Sequence, residues 1–411
     1  VSPTPAPAPE PASGSASAPA PAARIGAWFI GARGSVATTA TVGALALRAG
    51  LAPAAGCVTE LPELAPARLP ALAGLLTGGH DIATDPLPKR AEELAAGGVL
   101  PGELARSLER ELRDADRRIR PGAGPGPETQ RAAARRIADD LTAFRDRHGL
   151  DRVVVVDLSS TEPPAAPAPE LDSLDRLEAA LDAGASPLPL SSLYAYAAFR
   201  ADCPFVSFTP SPGPRPPALG ELAERRQLPW AGSDGKTGET LLKTALAPMF
   251  ATRALQVRSW TSVNLLGGGD GRTLADPANA ASKTRTKAQG LEAILGRPVD
   301  GPMHIDYVPD LGDWKTAWDL ISFEGFLGTR MSMQFTWHGC DSALAAPLVL
   351  DLVRLTARAA EAGECGPLAP LAFFFKDPAG TGRHDLAGQW DSLTAWAATA
   401  LAGDARGEAA R

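Results

Sequence analysis

Lysine is scarce in this chain: the 40 basic side chains include only seven lysines, and six of them, Lys236, Lys243, Lys283, Lys287, Lys315 and Lys376, fall between positions 236 and 376. A sequence that uses arginine for ordinary surface charge keeps lysine where an ammonium able to give up its proton is needed, because guanidinium does not deprotonate. The lysines therefore read as chemistry or phosphate contact. Cysteine is rarer still. Cys57, Cys203, Cys340 and Cys365 are far apart, with no CxxC spacing, so thiols kept reduced in a cytoplasm are expected. The five histidines form no HxxxH or HExxH pattern, which argues against a catalytic zinc site, and no metal is expected. No GxSxG elbow and no GxxxxGK frame occur, so hydrolase and ATPase readings are poor. No apolar run approaches the roughly 20 residues of a membrane-spanning helix. A net charge of -7 lacks the basic footprint of a nucleic-acid binder.

What remains is a chain of 411 residues, 45% hydrophobic and 21% charged, with the texture of a soluble globular protein and room for two domains. Residues 1–23 are a Pro/Ala-rich stretch without the basic start or apolar run of a signal peptide, and are expected to form a disordered tail. Order begins with IGAWFIG and a helical apolar period after ARGS. Strand, Gly-rich turn and helix open a dinucleotide-binding fold, or are simply a tight strand-to-helix connection, since the spacing Gly31-x-x-Gly34-x-x-Ala37 is not GxGxxG. Residues 86–150 read as a helical excursion. VVVVDL (153–158) reads as a buried parallel strand with a polar loop behind it, and FVSFTPSPG (205–213) repeats the pattern. From about Leu255 longer, alternating strands take over, with one helix near 281–295. The chain then returns through an apolar helix (343–360), a strand-like LAFFFK (371–376) and a closing helix (386–402). The expected fold class is α/β, a Rossmann-type doubly wound sheet with an inserted mixed-sheet α+β domain: 24–240 and 340–411 form the first unit, and 241–339 the insert.

The stretch from Gly232 to Lys315 holds most of the candidate chemistry. Lys283 and Lys287, four apart on an expected helix, share a face that is either solvated or wrapped around an anion. Asp234 with Lys236, Asp270, and Asp313 with Lys315 all lie in Gly-flanked turns, where glycine allows close backbone approach to a ligand. Each is either a plain turn or part of one shared site. Without metal or histidine patterns, acid/base work falls to Lys and Asp.

These motifs, GSDGKTGET (232–240), NLLGGGDG (264–271), the Lys283/Lys287 pair, YVPDLGDWKTAWD (307–319) and GCDSALAAPLVLDLV (339–353), occur in order and resemble the myo-inositol-1-phosphate synthase family over nearly everything after the tail. The resemblance implies an NAD-binding Rossmann domain, a central domain that covers the substrate and builds a homotetramer, and a hexose phosphate as the small-molecule substrate. It implies that Gly31, Gly34, Ser35 and Val36 cradle the NAD pyrophosphate and that Asp81 meets the adenosine ribose. Thr161, Asp234, Thr237, Asp270, Asp313 and Asp341 would line the cofactor. Lys283, Lys287, Lys315 and Lys376, with Asp234, would hold the sugar phosphate and serve the chemistry. The implied reaction removes hydride from carbon 5 of glucose 6-phosphate, enolises carbon 6, closes the ring onto carbon 1 and returns the hydride, with no net redox change. This chain departs from the family at Arg33 and Val36 in the nucleotide turn, at Gly268 and Gly269 before Asp270, and at Leu320 and Ser322 after Lys315. These departures keep fructose 6-phosphate, closing to a five-membered cyclitol phosphate, as an alternative substrate.

Overall fold

Strand β1 (Ile25–Ile30) is buried along its whole length, and the molecule is layered around it. A computed structural model describes residues 23–124, 126–163, 166–268 and 291–403; the tail 1–22, Asp270, Lys283 and Lys287 lie outside the described residues. β1 pairs in parallel with β2 (Leu76–Asp81) and β4 (Arg152–Asp157). β3 (Ile119–Pro121), β5 (Phe205–Ser207), β6 (Pro229–Gly232) and a short late strand, Gly366–Pro367, complete a seven-stranded parallel sheet. Its order is late strand, β6, β5, β4, β1, β2, β3.

Side-chain alternation along the strands feeds two cores, one on each face of the sheet. Ala27, Phe29, Val154 and Val156 point into one, with helix α1 (Ser35–Ala49). Trp28, Ile30, Val153 and Val155 point into the other, with α5 (Gln130–His148) and α7 (Leu190–Arg200). A strand buried on both faces must be apolar at every position, which is why VVVV appears without polar interruption. Full burial of each such side chain contributes roughly 1.5–3 kcal/mol.

The excursion 86–150 contains α2 (Leu87–Ala96), α3 (Gly102–Ser107) and α4 (Glu109–Asp116). It also carries the edge strand β3, which the helical reading of this segment missed. α6 (Leu174–Asp182) precedes α7, and α8 (Pro217–Arg225) follows β5 in sequence.

α9 (Glu239–Thr252) leads into a second sheet of four strands, β7 (Gln256–Leu266), β8 (Met303–Tyr307), β9 (Trp314–Glu324) and β10 (Arg330–Cys340), ordered β10-β9-β7-β8. β7 and β8 are parallel and the other pairs antiparallel. Val257, Trp260 and Ile321 pack on Ala247 and Phe250 of α9. α10 (Asp341–Glu361) starts where β10 ends and returns to the first sheet, sharing its core with α1. The strand expected at 371–376 is instead a 3-10 turn, Ala369–Phe374, followed by α11 (Leu386–Ala398). The apolar FFF run supplies core rather than a ladder: Phe374 and Phe375 are both buried. No described helix is long and apolar enough to cross a membrane.

Candidate active site

The strand order reverses between β1 and β4, and in open α/β sheets that is where a crevice opens at the carboxyl ends of the strands. β1 ends there in a turn whose Gly31 has φ +78°, a left-handed conformation that glycine adopts at no steric cost. A Cβ on Gly31 would stand 3.1 Å from the carbonyl oxygen of Leu158, and one on Gly34 would stand 3.1 Å from that of Gly31. Gly34 caps α1 without a side-chain hydrogen bond, so the first N–H groups of the helix face the crevice as an anion-binding end. Asp81 closes β2, its carboxylate accepting from the Arg33 N–H at 2.6 Å and the Ala83 N–H at 2.7 Å. This cradle fits a dinucleotide pyrophosphate.

A cleft of about 280 Å³ runs from the turn to the second sheet. It is lined by Gly34, Ser35, Val36, Thr161, Asp234, Thr237, Gly268, Asp313, Lys315, Asp341 and Lys376, with Ser159, Phe208, Thr209, Trp314 and Ser342 between them. Gly31 and Asp81 lie outside this lining, at its nucleotide end.

Two lysine–aspartate pairs stand on its walls. The Lys376 ammonium lies 2.7 Å from Asp234 Oδ1, both side chains almost fully buried. Asp234 Oδ2 is buried with no hydrogen-bond partner among the described residues. The pair is built by a short ribbon: the Lys376 N–H donates to the Asp234 carbonyl (2.7 Å), the Lys236 N–H to that of Phe374 (2.8 Å), and Gly235 bridges Phe375. Lys315 comes from the start of β9, 3.6 Å from Asp341 Oδ2, and Asp341 Oδ1 accepts from the Thr237 hydroxyl at 3.1 Å. A loop after β7 closes onto a turn before β9, where a Cβ on Gly267 would meet the Gly312 backbone at 2.5 Å.

Two of the scarce lysines point elsewhere. The Lys236 ammonium is buried behind the ribbon on Gln389 Oε1 of α11 (2.5 Å), and burial pushes its pKa down to about 7. Lys243 is buried between α9 and the second sheet, with Glu239 (2.5 Å), Ser262 (2.8 Å) and Asp319 (3.7 Å). Leu320 and Ser322 alternate with Asp319 and Ile321, so they lie on the face of β9 opposite Lys315 and the packed core. Of the departures from the family pattern, Val36 and Gly268 line the cleft, and Arg33, Leu320 and Ser322 do not.

Sequence reasoning passed over Asp157. It ends β4 fully buried, accepting from the Ser159 N–H (3.0 Å) and hydroxyl (2.6 Å) on Oδ1 and from Thr209 (3.4 Å) on Oδ2. Burial pushes its carboxyl up to about 6 against those hydrogen bonds. An acid terminating an otherwise apolar parallel strand was the available signal. Its work is to hold the Ser159 and Thr209 loops that form the cleft wall.

The geometry matches known proteins throughout. The family model described as myo-inositol-1-phosphate synthase, itself named for NAD binding, matches residues 25–397. The chain is 33% identical to inositol-3-phosphate synthase 1 of Bacteroides thetaiotaomicron, over 89% of this chain and 93% of that protein. It is also 33% identical to inositol-3-phosphate synthase 1 of Mus musculus, where the match spans 61% of this chain and 49% of the relative. The fold is shared with inositol-3-phosphate synthase of Caenorhabditis elegans, at TM-score 0.81 and 23% identity over 94% of this chain and 88% of that one. It is shared too with a myo-inositol-1-phosphate synthase-related protein of Thermotoga maritima, at TM-score 0.71 and 24% identity over 91% and 98%. With the family model spanning both sheets and the cofactor crevice, the chain belongs to the myo-inositol-1-phosphate synthase family, enzymes that use NAD.

Proposed function

We propose that this protein catalyses the redox-neutral intramolecular aldol cyclisation of a hexose 6-phosphate to a cyclitol phosphate, of the glucose 6-phosphate to 1L-myo-inositol 1-phosphate type. The observation that carries the reading is the placement of Lys376–Asp234 and Lys315–Asp341 on the walls of one cleft beside the nucleotide turn. NAD, when bound, supplies hydride removal and return at carbon 5. Gly31, Gly34, Ser35 and Val36 hold its pyrophosphate and Asp81 its adenosine ribose, while Thr161, Thr237, Asp313 and Asp341 line the remainder, joined by Asp270 from beyond the described residues.

The lysines act on the sugar. Lys376 and Lys315 present fixed positive charge where an enolate and then an aldol alkoxide carry negative charge, in a site largely shielded from water. Asp234 aims Lys376 and keeps one free carboxylate oxygen for a substrate hydroxyl. Lys283 and Lys287 complete the set as phosphate ligands. A homotetramer is supported by Val263, Leu265, Trp318 and Leu320, partly exposed apolar side chains together on the face of the second sheet opposite α9.

The test offers glucose 6-phosphate and fructose 6-phosphate separately with NAD, following the phosphorylated product by NMR and NADH by absorbance. An inositol phosphate from glucose 6-phosphate without NADH build-up supports the reading. A cyclopentane product from fructose 6-phosphate alone moves the enzyme to five-membered cyclitols, and steady NADH would make it a plain dehydrogenase. No product from either sugar sinks the cyclase.

A further inference from the structure

The nucleotide end of the crevice holds an acid and an arginine side by side. Asp81 closes β2, where a carboxylate receives the 2′-hydroxyl of an NAD adenosine ribose, whereas a nearby arginine accommodates the 2′-phosphate of NADP. Arg33 stands in the turn itself, its N–H on Asp81 Oδ2 at 2.6 Å. Its guanidinium is within a side-chain length of that carboxylate, so the turn contains the parts of both selectivities.

What separates them is the excursion between β2 and β4, to which sequence reasoning assigned no chemistry. Asp116, at the end of α4, accepts from Arg33 Nε at 3.0 Å, and the Ala83 carbonyl accepts from Arg33 Nη1 at 2.8 Å. The Arg33 backbone is fixed as well, its carbonyl accepting from Arg90 Nε of α2 at 3.1 Å. The side chains of Arg33 and Asp116 are 14% and 22% exposed, sheltered enough for the pair to escape most of the screening that weakens surface ion pairs. Asp116 Oδ1 also accepts from the Leu87 N–H at 3.1 Å, at the start of α2. That bond anchors the counter-ion to a helix end and keeps it from following Arg33 outward.

We propose that Asp116 is a specificity-determining residue: it holds the Arg33 guanidinium away from the adenosine 2′ position, leaving Asp81 to face the ribose, and so makes this site select NAD over NADP. The inference rests on reading the Gly31 turn and Asp81 as the dinucleotide site. Neutralising Asp116 frees a cation beside the 2′ position, while Asp81 continues to disfavour a phosphate there.

The test measures NAD⁺ and NADP⁺ dissociation constants by titration calorimetry on the full chain, for wild type, D116N and D116N/R33M, with thermal melts as a check on folding. Asp116→Asn keeps an oxygen for the Leu87 N–H and removes the charge. D116S serves if D116N does not fold. The expected result is an NADP⁺ affinity raised about tenfold relative to NAD⁺ in D116N, or about 1.4 kcal/mol, with the gain lost in D116N/R33M. An unchanged ratio in a folded D116N overturns the proposal, as does a gain that survives R33M. A wild-type chain that binds no NAD⁺ at all would instead overturn the site reading beneath it.

Discussion

Lys376 and Asp234 are joined twice, by an ion pair of 2.7 Å between their side chains and by a hydrogen bond of 2.7 Å from the Lys376 N–H to the Asp234 carbonyl. The backbone bond fixes where the ammonium emerges, and the ion pair fixes where it points. Removing the charge while keeping the ribbon therefore isolates the chemistry. Lys376→Met is expected to lower kcat by roughly 10²-fold or more, the scale of losing one preorganised charge. Its melting temperature should fall, because the buried Asp234 carboxylate loses its counter-ion, while NAD⁺ should still bind. A variant that cyclises at the wild-type rate would remove Lys376 from the mechanism.

The same ribbon explains what a linear reading could and could not see. Asp234 and Lys236 are two residues apart, which in an extended strand would put both side chains on one face. Asp234 has φ +61°, so the alternation breaks: Asp234 enters the cleft and Lys236 goes behind it onto Gln389. Lysine scarcity pointed to Lys315 and Lys376, which line the cleft, and equally to Lys236 and Lys243, which are buried elsewhere, because composition carries no information on where a side chain is buried. The double winding was legible from apolar runs with polar loops behind them. β2, β3 and β6 were not, because LTGGHD, IRP and PWAG hold no apolar run that would mark a buried strand.

Lys236 gives stability a pH signature. Its pKa falls from 10.5 to about 7 on folding, so between those values the unfolded chain binds more protons and stability rises with pH. Below pH 7 both states are charged and the penalty for burying the ammonium is fully present. Melts of wild type and K236M across pH 6.5 to 10 should show the wild type gaining on the variant as pH rises. Parallel curves would show that Lys236 stays charged in the fold.

Lys243 lies in a buried network with two carboxylates, Glu239 and Asp319, both 0% exposed in their side chains. Asp319 Oδ1 is further held by the Trp260 indole Nε1–H at 2.7 Å and the Ser262 hydroxyl at 2.5 Å, while burial and then Glu239 raise its pKa. Removing the ammonium takes a counter-charge from two buried carboxylates in the joint between α9 and the second sheet, so K243M should lose about 3–5 kcal/mol in denaturant unfolding. K243M/E239Q should recover part of that loss. If the double variant is merely the sum of the singles, the network is not coupled as the distances indicate.

Asp157 makes the converse prediction at acid pH. Its carboxyl titrates near 6 in the fold against 3.8 as its ordinary value, so between these values the folded state holds more protons and stability falls as pH rises. Asp157→Asn should flatten that decline between pH 4 and 6, because an amide oxygen still accepts from Ser159 and the neutral group carries no desolvation cost. Asp157→Leu should leave the Ser159 N–H and hydroxyl without their acceptor and loosen the cleft wall beside Thr161, weakening NAD⁺ binding more than the asparagine change does. Calorimetric titration of both variants at pH 7.5 checks the second expectation and pH-dependent melts the first. Equal NAD⁺ affinities in the two variants would show that the loop after β4 is held without Asp157.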